Sequence, residues 1–342
     1  MSADIAVGPV GEDAREAVCE SVFDCVGNTP IVALRRLFRE PGREVLAKLE
    51  LMNPGGSMKD RSARYIVAAG LADGSIRPRS TLVESSSGNF GIALAMAARV
   101  NDLRFVCVID PKTTSANAAI LRRLGASVEM VTEPDESGGY LHTRISRVNE
   151  LVAKTPDAVW INQYANDRNW QAYYYGTGAE LATQLVHPPE CLIAPVSTTG
   201  CILGCARRLR ERFPSMRVIA VDAVGSVIFG GNPGAREIPG IGSSRVPELC
   251  RPGEIDEVVY VDDVEAAQGC RELVAAEGIF AGGSSGAVVA AIRKLMPALP
   301  EPSRVVAIFP DRGDRYLDVV YDDEWLAAAQ QRSRNQADTR SE

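Results

Sequence analysis

Lys59 is the residue of this chain best placed to do chemistry. It lies in Asn53-Pro54-Gly55-Gly56-Ser57-Met58-Lys59-Asp60-Arg61, a tight Pro-Gly-Gly turn leading into a helix-like stretch. With Ser57 as N-cap, Lys59 falls in the first helical turn, where the helix dipole disfavours a cation. A lysine there is either merely solvated or has a lowered pKa that suits imine chemistry; position alone leaves both open. The segment is not a P-loop, because Asp60 follows the lysine where that motif needs Ser or Thr.

Three further segments place hydroxyls and glycines ahead of helix-like stretches. Ser85-Ser86-Ser87-Gly88-Asn89-Phe90-Gly91 offers more hydroxyls than N-capping uses, which favours a nest for a carboxylate or phosphate. Pro195-Val196-Ser197-Thr198-Thr199-Gly200-Cys201-Ile202-Leu203-Gly204 follows a buried strand and opens a helix, as a phosphate site requires. A capped strand-to-helix turn reads the same way, and GxGxxG is not matched. Gly282-Gly283-Ser284-Ser285-Gly286-Ala287 alone is a turn. Only two histidines occur, His142 and His187, so proton transfer must lean on Lys, Ser, Asn, Tyr or carboxylates. Eight cysteines without a CxxC pair indicate neither a zinc knuckle nor a disulfide scaffold, and Cys201 with Cys205 reads as helix packing. No metal is expected.

The elements that must hold these loops alternate. Strands are expected at 45–51, 81–84, 104–109, 127–131, 158–163, 191–196, 217–221 and 304–309. Helices are expected at 58–72, 89–100, 115–124, 140–154, 169–185, 202–213 and 285–296. Alternation with near-continuous apolar strands indicates an α/β fold with parallel sheets covered on both faces. So many strands point to two sheets, hence two domains. Ligands in such folds sit beyond the carboxyl ends of the strands, where these loops fall.

With 342 residues, 46% of them hydrophobic and 24% charged, the chain can bury a sizeable core. A net charge of −7 gives no nucleic-acid footprint. The run Arg207-Arg208-Leu209-Arg210-Glu211-Arg212 reads as a solvated helix face. The first eighteen residues lack an apolar core of a secretory signal, and no stretch approaches the ~20 apolar residues of a membrane span. A cytoplasmic protein with reduced thiols, binding neither nucleic acid nor membrane, is expected.

In this order, the four segments resemble the fold-type-II pyridoxal-phosphate (PLP) enzymes of the cysteine synthase and cystathionine β-synthase family. The likeness runs from Val26-Gly27-Asn28-Thr29-Pro30 to Pro310-Asp311-Arg312-Gly313-Asp314-Arg315-Tyr316-Leu317. It implies a tryptophan-synthase-β-like fold of two domains, each a mostly parallel sheet flanked by helices. The smaller, mobile, substrate-binding domain would span 51–158. The larger, PLP-binding one would span 17–50 plus 159–331, with frayed ends at 1–16 and 332–342, in a homodimer. By the same resemblance Lys59 holds pyridoxal 5'-phosphate as a Schiff base and later acts as general base. Asn89 hydrogen-bonds the cofactor's phenolic oxygen, and Ser86, Ser87 and Gly88, with Asn89, hold the substrate α-carboxylate. Ser197, Thr198, Thr199, Gly200 and Cys201 bind the cofactor phosphate, and Ser284 faces the ring nitrogen. A neutral hydroxyl at Ser284 makes a weaker electron sink than a carboxylate, which suits β-replacement over transamination.

Departures narrow the match. Cysteine synthases usually carry Gly where Ser197 stands and Thr where Phe90 stands, which puts sulfide as nucleophile in doubt. Gly138-Gly139-Tyr140-Leu141, Trp160-Ile161-Asn162-Gln163-Tyr164-Ala165-Asn166 and Pro239-Gly240-Ile241-Gly242 resemble the subfamily that makes 2,3-diaminopropionate precursors for siderophores or peptide antibiotics. Its reaction joins O-phospho-L-serine and L-glutamate to give N-(2-amino-2-carboxyethyl)-L-glutamate and phosphate. Arg144, Tyr164, Ser197 and Arg245 are the candidates for the extra donors and cations this needs. A surface helix arginine, a core tyrosine and a solvated loop arginine are the plainer readings of Arg144, Tyr164 and Arg245. The competing functions are a cysteine synthase or cystathionine β-synthase-like enzyme, a non-catalytic PLP-binding protein, and a nucleotide-binding module.

Overall fold

In the computed structural model, which describes residues 18–135 and 139–340, the strands form two separate sheets. The six-stranded sheet has the order β1-β2-β10-β7-β8-β9 and the four-stranded sheet β5-β4-β3-β6. The first contains β1 (Ile31–Ala33), β2 (Arg43–Leu49), β7 (Cys191–Pro195), β8 (Arg217–Ala223), β9 (Glu257–Val261) and β10 (Ser303–Phe309). Only β1 runs antiparallel, at the edge against β2. The second contains β3 (Thr81–Ser85), β4 (Arg104–Ile109), β5 (Ser127–Met130) and β6 (Ala158–Trp160), all parallel. Central strands β3 and β7 are buried along their whole length, as expected of strands covered on both faces.

Helices cover both sheets: α1 (Lys59–Asp73), α2 (Asn89–Val100), α3 (Ser115–Arg123), α4 (Leu141–Lys154), α5 (Arg168–Tyr173), α6 (Ala179–Gln184), α7 (Gly200–Arg212), α8 (Asp263–Glu277), α9 (Gly283–Leu295) and α10 (Asp323–Arg340). Apolar side chains pack on the two faces of the large sheet, one core holding Val305, Ile219 and Val288, the other Leu192, Val218 and Ile202. The small sheet is packed by Leu82, Phe105 and Leu94 on one face and by Val83, Val108 and Val148 on the other.

Several expectations are corrected. The strand expected over 158–163 ends at Trp160, because Asn162 takes a left-handed conformation (φ 49°) and turns the chain. The helix expected over 169–185 is interrupted by a π-helical turn at Tyr174–Gly178, where Gly178 packs so closely on α7 that an added Cβ would lie 2.9 Å from Arg208. Helix α1 begins at Lys59 with Met58 as N-cap, although Ser57 Oγ still accepts the Lys59 N–H at 3.3 Å. Strands β1 and β9 and helices α8 and α10 were not foreseen; β1 is three residues long, and the buried face of α8 is mostly small residues. Helix α10 runs to Arg340, and the Arg332 guanidinium meets Glu237 at 2.7 Å. The stretch 1–16, together with Gly138, lies outside the described residues. The arginine run on α7 is tied down, with Arg207 on Glu254 at 2.7 Å and Arg210 on Asp256 at 2.6 Å. Among the described residues no helix is long and apolar enough to cross a membrane.

Candidate active site

Each sheet reverses its strand order once, between β3 and β6 in the small sheet and between β7 and β10 in the large one. Such switch points open crevices at the carboxyl ends of strands. The loop after β3 supplies Ser85 to Asn89, and the turn after β6 supplies Gln163 and Tyr164. The loop after β7 supplies Ser197, and the segment after β10 supplies Pro310 and Asp311. All of them line one cavity with Lys59, Phe90, Arg144, Gly240 and Ser284. A narrower recess runs on from Lys59 to Ser197, Thr198, Thr199 and Cys201.

Lys59 is held there by its flanking residues. Asp60 accepts the Gly55 N–H at 2.5 Å and closes the Pro-Gly-Gly turn. Arg61 donates to Glu50 and Glu180 at 2.6 Å each, and Lys48 also meets Glu180 at 2.6 Å. Against the cost of burial, Arg61 and Lys48 hold the Glu180 carboxyl down to about 2. This buried network fixes the start of α1 against β2 and α6. Lys59 itself makes no hydrogen bond or ion pair through Nζ among the described residues. Burial lowers its pKa, opposed by Cys201, Asp311 and Glu84. The shift is toward the neutral amine, the direction that the imine reading of Lys59 needs and the solvated reading does not give.

The recess fits an anion. Thr199 caps α7 in a left-handed conformation (φ 63°), so the first helical amides face the recess. Its Oγ1 is buried without a partner, a donor left over by the protein's own bonding. Asn169 braces the loop from below, donating to Thr198 Oγ1 at 3.1 Å and to Gln163 O at 2.7 Å. Gly200 sits so near Asn169 that a Cβ there would lie 2.8 Å from its side chain. A buried amine, an anion cradle one recess away and polar side chains between them fit pyridoxal phosphate.

The loop after β3 is shaped by Ser86, whose Oγ accepts the Gly91 N–H at 3.0 Å. Gly91 is required, since a Cβ would lie 2.3 Å from Ser86 O. Asn117 holds Ser87 O at 3.1 Å, and nothing lies within 4 Å of where a Gly88 Cβ would be, so the loop faces open space there. Ser284, buried in the first turn of α9, lies 3.4 Å from Asp311 Oδ1.

The arginine and tyrosine candidates separate. Arg144 is no surface residue: it lines the cavity with its side chain 15% exposed, 3.2 Å from Asp110. Tyr164 also lines the cavity, in the turn beyond β6 rather than in a strand, and burial pushes its phenol up against the opposing charge of Arg144. Arg245 does not line the cavity; it stacks on the Tyr164 ring at 4.9 Å and pairs with Glu248.

Four polar residues went unnoticed in the sequence. Glu84 is buried at the end of β3, and burial pushes its carboxyl up to about 7. Asp311 lines the cavity from the segment after β10, and Arg315 of the same segment bonds Asn89 and Gly55 O. Arg236 is half-buried, donating to Ser244 Oγ at 2.7 Å while its Nε has no partner. No local pattern marks a lone acid or arginine on a strand end or long loop. The Pro310-to-Leu317 segment was visible only as part of the resemblance.

Comparison with known proteins agrees with this geometry. The family described as "Pyridoxal-phosphate dependent enzyme" matches residues 22–311. N-(2-amino-2-carboxyethyl)-L-glutamate synthase of Ralstonia nicotianae is 57% identical over 310 residues, 91% of this chain and 92% of that protein. The protein of the same name in Cupriavidus metallidurans is 58% identical over 313 residues, with the same coverage. Among solved structures, the O-acetylserine-dependent cystathionine β-synthase of Helicobacter pylori matches with a TM-score of 0.83 at 35% identity, covering 88% of this chain and 98% of that one. O-ureido-L-serine synthase matches with a TM-score of 0.83 at 32% identity, covering 91% and 99%.

Proposed function

This chain belongs to the family of pyridoxal-phosphate-dependent enzymes, in the fold-type-II class, and from that premise we propose that it joins O-phospho-L-serine to L-glutamate. The products are N-(2-amino-2-carboxyethyl)-L-glutamate and phosphate. The observation that carries this reading is 57–58% identity, along nine-tenths of the chain, to relatives named for forming that product. The Cβ–O bond of phosphoserine breaks with its electron pair leaving on phosphate, a Cβ–N bond forms to glutamate, and the attacking amine gives up a proton.

Pyridoxal phosphate, when bound, supplies the electron sink that makes the Cα proton removable. In this proposal Lys59 anchors it and, as a neutral amine in a buried site, takes the Cα proton and later returns one. Thr199 Oγ1 and the first amides of α7 hold the phosphate, together with Ser197, Thr198, Gly200 and Cys201, and Asn89 and Ser284 hold the ring. Ser86, Ser87 and Gly88, ahead of α2, bind the substrate α-carboxylate. Arg144 and the Tyr164 hydroxyl bind the leaving phosphate or the incoming carboxylates. Around this site we place a smaller moving unit, about 51–158, against a larger one, about 17–50 plus 159–331. A homodimer in the cytoplasm, supplying 2,3-diaminopropionate for a siderophore or an antibiotic, completes the proposal.

Incubation of the holoenzyme with phosphoserine and, separately, glutamate, sulfide or homocysteine identifies the nucleophile by product mass. Formation of N-(2-amino-2-carboxyethyl)-L-glutamate in the glutamate arm is expected. Product only with sulfide or homocysteine makes the chain a cysteine synthase or cystathionine β-synthase-like enzyme. Arg144→Ala and Tyr164→Phe should each raise the KM for phosphoserine about tenfold or more; unchanged KM and kcat remove both assignments.

A further inference from the structure

The short segment after β10 touches three of the four site loops. Its backbone reaches two of the site loops. Pro310 O accepts the Met58 N–H at 2.8 Å, Gly56 O accepts the Arg312 N–H at 3.1 Å, and Asp311 O accepts the Gly282 N–H at 2.9 Å. Its side chains reach the third. Asp311, 2% exposed, accepts the Asn89 Nδ2–H at 2.7 Å and the Tyr316 hydroxyl at 2.6 Å, with Ser284 Oγ at 3.4 Å. Arg315 donates to Asn89 Oδ1 through one arm and to Gly55 O at 3.0 Å through the other.

The Asn89 amide is therefore gripped at both ends, its oxygen by a cation and its NH2 by an anion. A side-chain amide can flip by a half-turn at little cost unless its neighbours distinguish oxygen from nitrogen. Here they do, with charge-assisted bonds, the strong kind. These bonds leave one Nδ2 proton of Asn89 and the acceptor side of the Ser284 hydroxyl unused, and both residues line the cavity. Burial pushes the Asp311 carboxyl up, and the hydrogen bonds from Tyr316 and Asn89 and the Arg315 charge oppose that. Packing alone gives no reason for a buried acid and a cation to divide one amide between them at the edge of a ligand cavity.

We propose that Asp311 and Arg315 are positioning residues that hold the Asn89 amide and the Ser284 hydroxyl in the orientations in which these meet the cofactor ring. Arg315 also ties Asn89, on the small sheet, to the turn that carries Lys59. The proposal rests on the cofactor assigned above and not on the choice of nucleophile.

The test is cofactor affinity. Apoenzyme is titrated with pyridoxal phosphate by tryptophan fluorescence, and the visible absorption of the reconstituted enzyme is followed against pH. Arg315→Met should raise the Kd about tenfold, the scale at which groups that orient a ligand-holding side chain act, and should alter the pH response of the visible band. Arg315→Lys should recover part of the loss. Because Arg315 works through Asn89, the double variant Asn89→Ala/Arg315→Met should bind no more weakly than Asn89→Ala alone. Asp311→Asn should weaken binding in the same direction. Wild-type affinity and an unchanged band in Arg315→Met, or full additivity with Asn89→Ala, overturns the proposal. The half-buried Arg315 arm decides it even where Asp311→Asn fails to fold. Normal cofactor binding without product from glutamate sinks the functional reading and leaves this one standing.

Discussion

At the residue scale, one theme recurs: ionisable groups are buried and then matched or left neutral. Lys59 is deprived of a hydrogen-bond partner, which makes its amine available. Glu84 carries the theme into stability. It accepts the Ser85 N–H at 2.8 Å and the Gln163 N–H at 3.3 Å, and burial lifts its carboxyl from 4.5 to about 7. Between those values the folded chain keeps the proton and the unfolded chain has lost it. Its contribution is therefore fully present below pH 4.5 and is lost as pH rises through about 7. Asp60 and Asp222, both raised to about 6 by burial, act in the same direction. Glu84→Gln removes one such group, so the fall in stability from about pH 5 to about pH 8 should shrink by roughly 2.5 kcal/mol. Urea unfolding at both pH values checks this; an undiminished fall refutes the assignment.

At the element scale, helix starts do most of the positioning. Helices α1, α2, α7 and α9 all begin at the cavity, at Lys59, Asn89, Gly200 and Gly283. The placement of α9 depends on glycines crossing α8. A Cβ on Gly286 would lie 2.0 Å from Ala266 O and 2.6 Å from Cys270 Sγ, and one on Gly269 would lie 2.2 Å from Gly286 O. The two backbones touch, and no flexible side chain can give way. Gly286→Ala should thus destabilise the fold by about 3 kcal/mol, the upper part of the usual overpacking range. It should also weaken cofactor binding by shifting Ser284. Thermal unfolding and a cofactor titration measure the two effects; a variant with unchanged Tm contradicts the close-crossing argument.

At the scale of the whole molecule, the cavity lies between two sheets with separate cores. Within the bounds proposed above, Lys59, Ser86 to Asn89 and Arg144 lie in the smaller unit, where Ala63, Ile66 and Val67 of α1 pack with Leu82 and Phe105, while Tyr164, Ser197 and Ser284 lie in the larger. On the proposal that the smaller unit closes on substrate, phosphoserine should slow hydrogen exchange around Ser86 to Gly91 and in α4 more than in β7 or β8. Equal protection everywhere, or none, removes the closure. In the sequence Arg144 read equally as a substrate-binding candidate and as a surface helix arginine, because which helix faces the cleft depends on the strand order β5-β4-β3-β6. Tyr164 and Arg245 were both legible as loop or strand-end residues, yet only Tyr164 faces the cavity. Arg245 stacks behind it, an outcome set by the path of the long segment between β8 and β9.

The four loop motifs, their order and the α/β alternation were determined by the sequence itself. Turn residues, capping hydroxyls and apolar strand runs act over a few neighbours and so leave a local record. The Lys59 turn and the 85–91 and 197–201 loops were readable for that reason, while Asn89 and Ser284 as cofactor contacts came from the family resemblance. What the tertiary structure alone decided is how the loops are joined: the switch points that aim them into one cavity, the buried Arg61 network behind Lys59, and the Asp311–Arg315 pair that holds Asn89. Asp311 and Asn89 are 222 residues apart in the chain. Partners that distant are chosen by sheet topology and burial, and no local spacing records them.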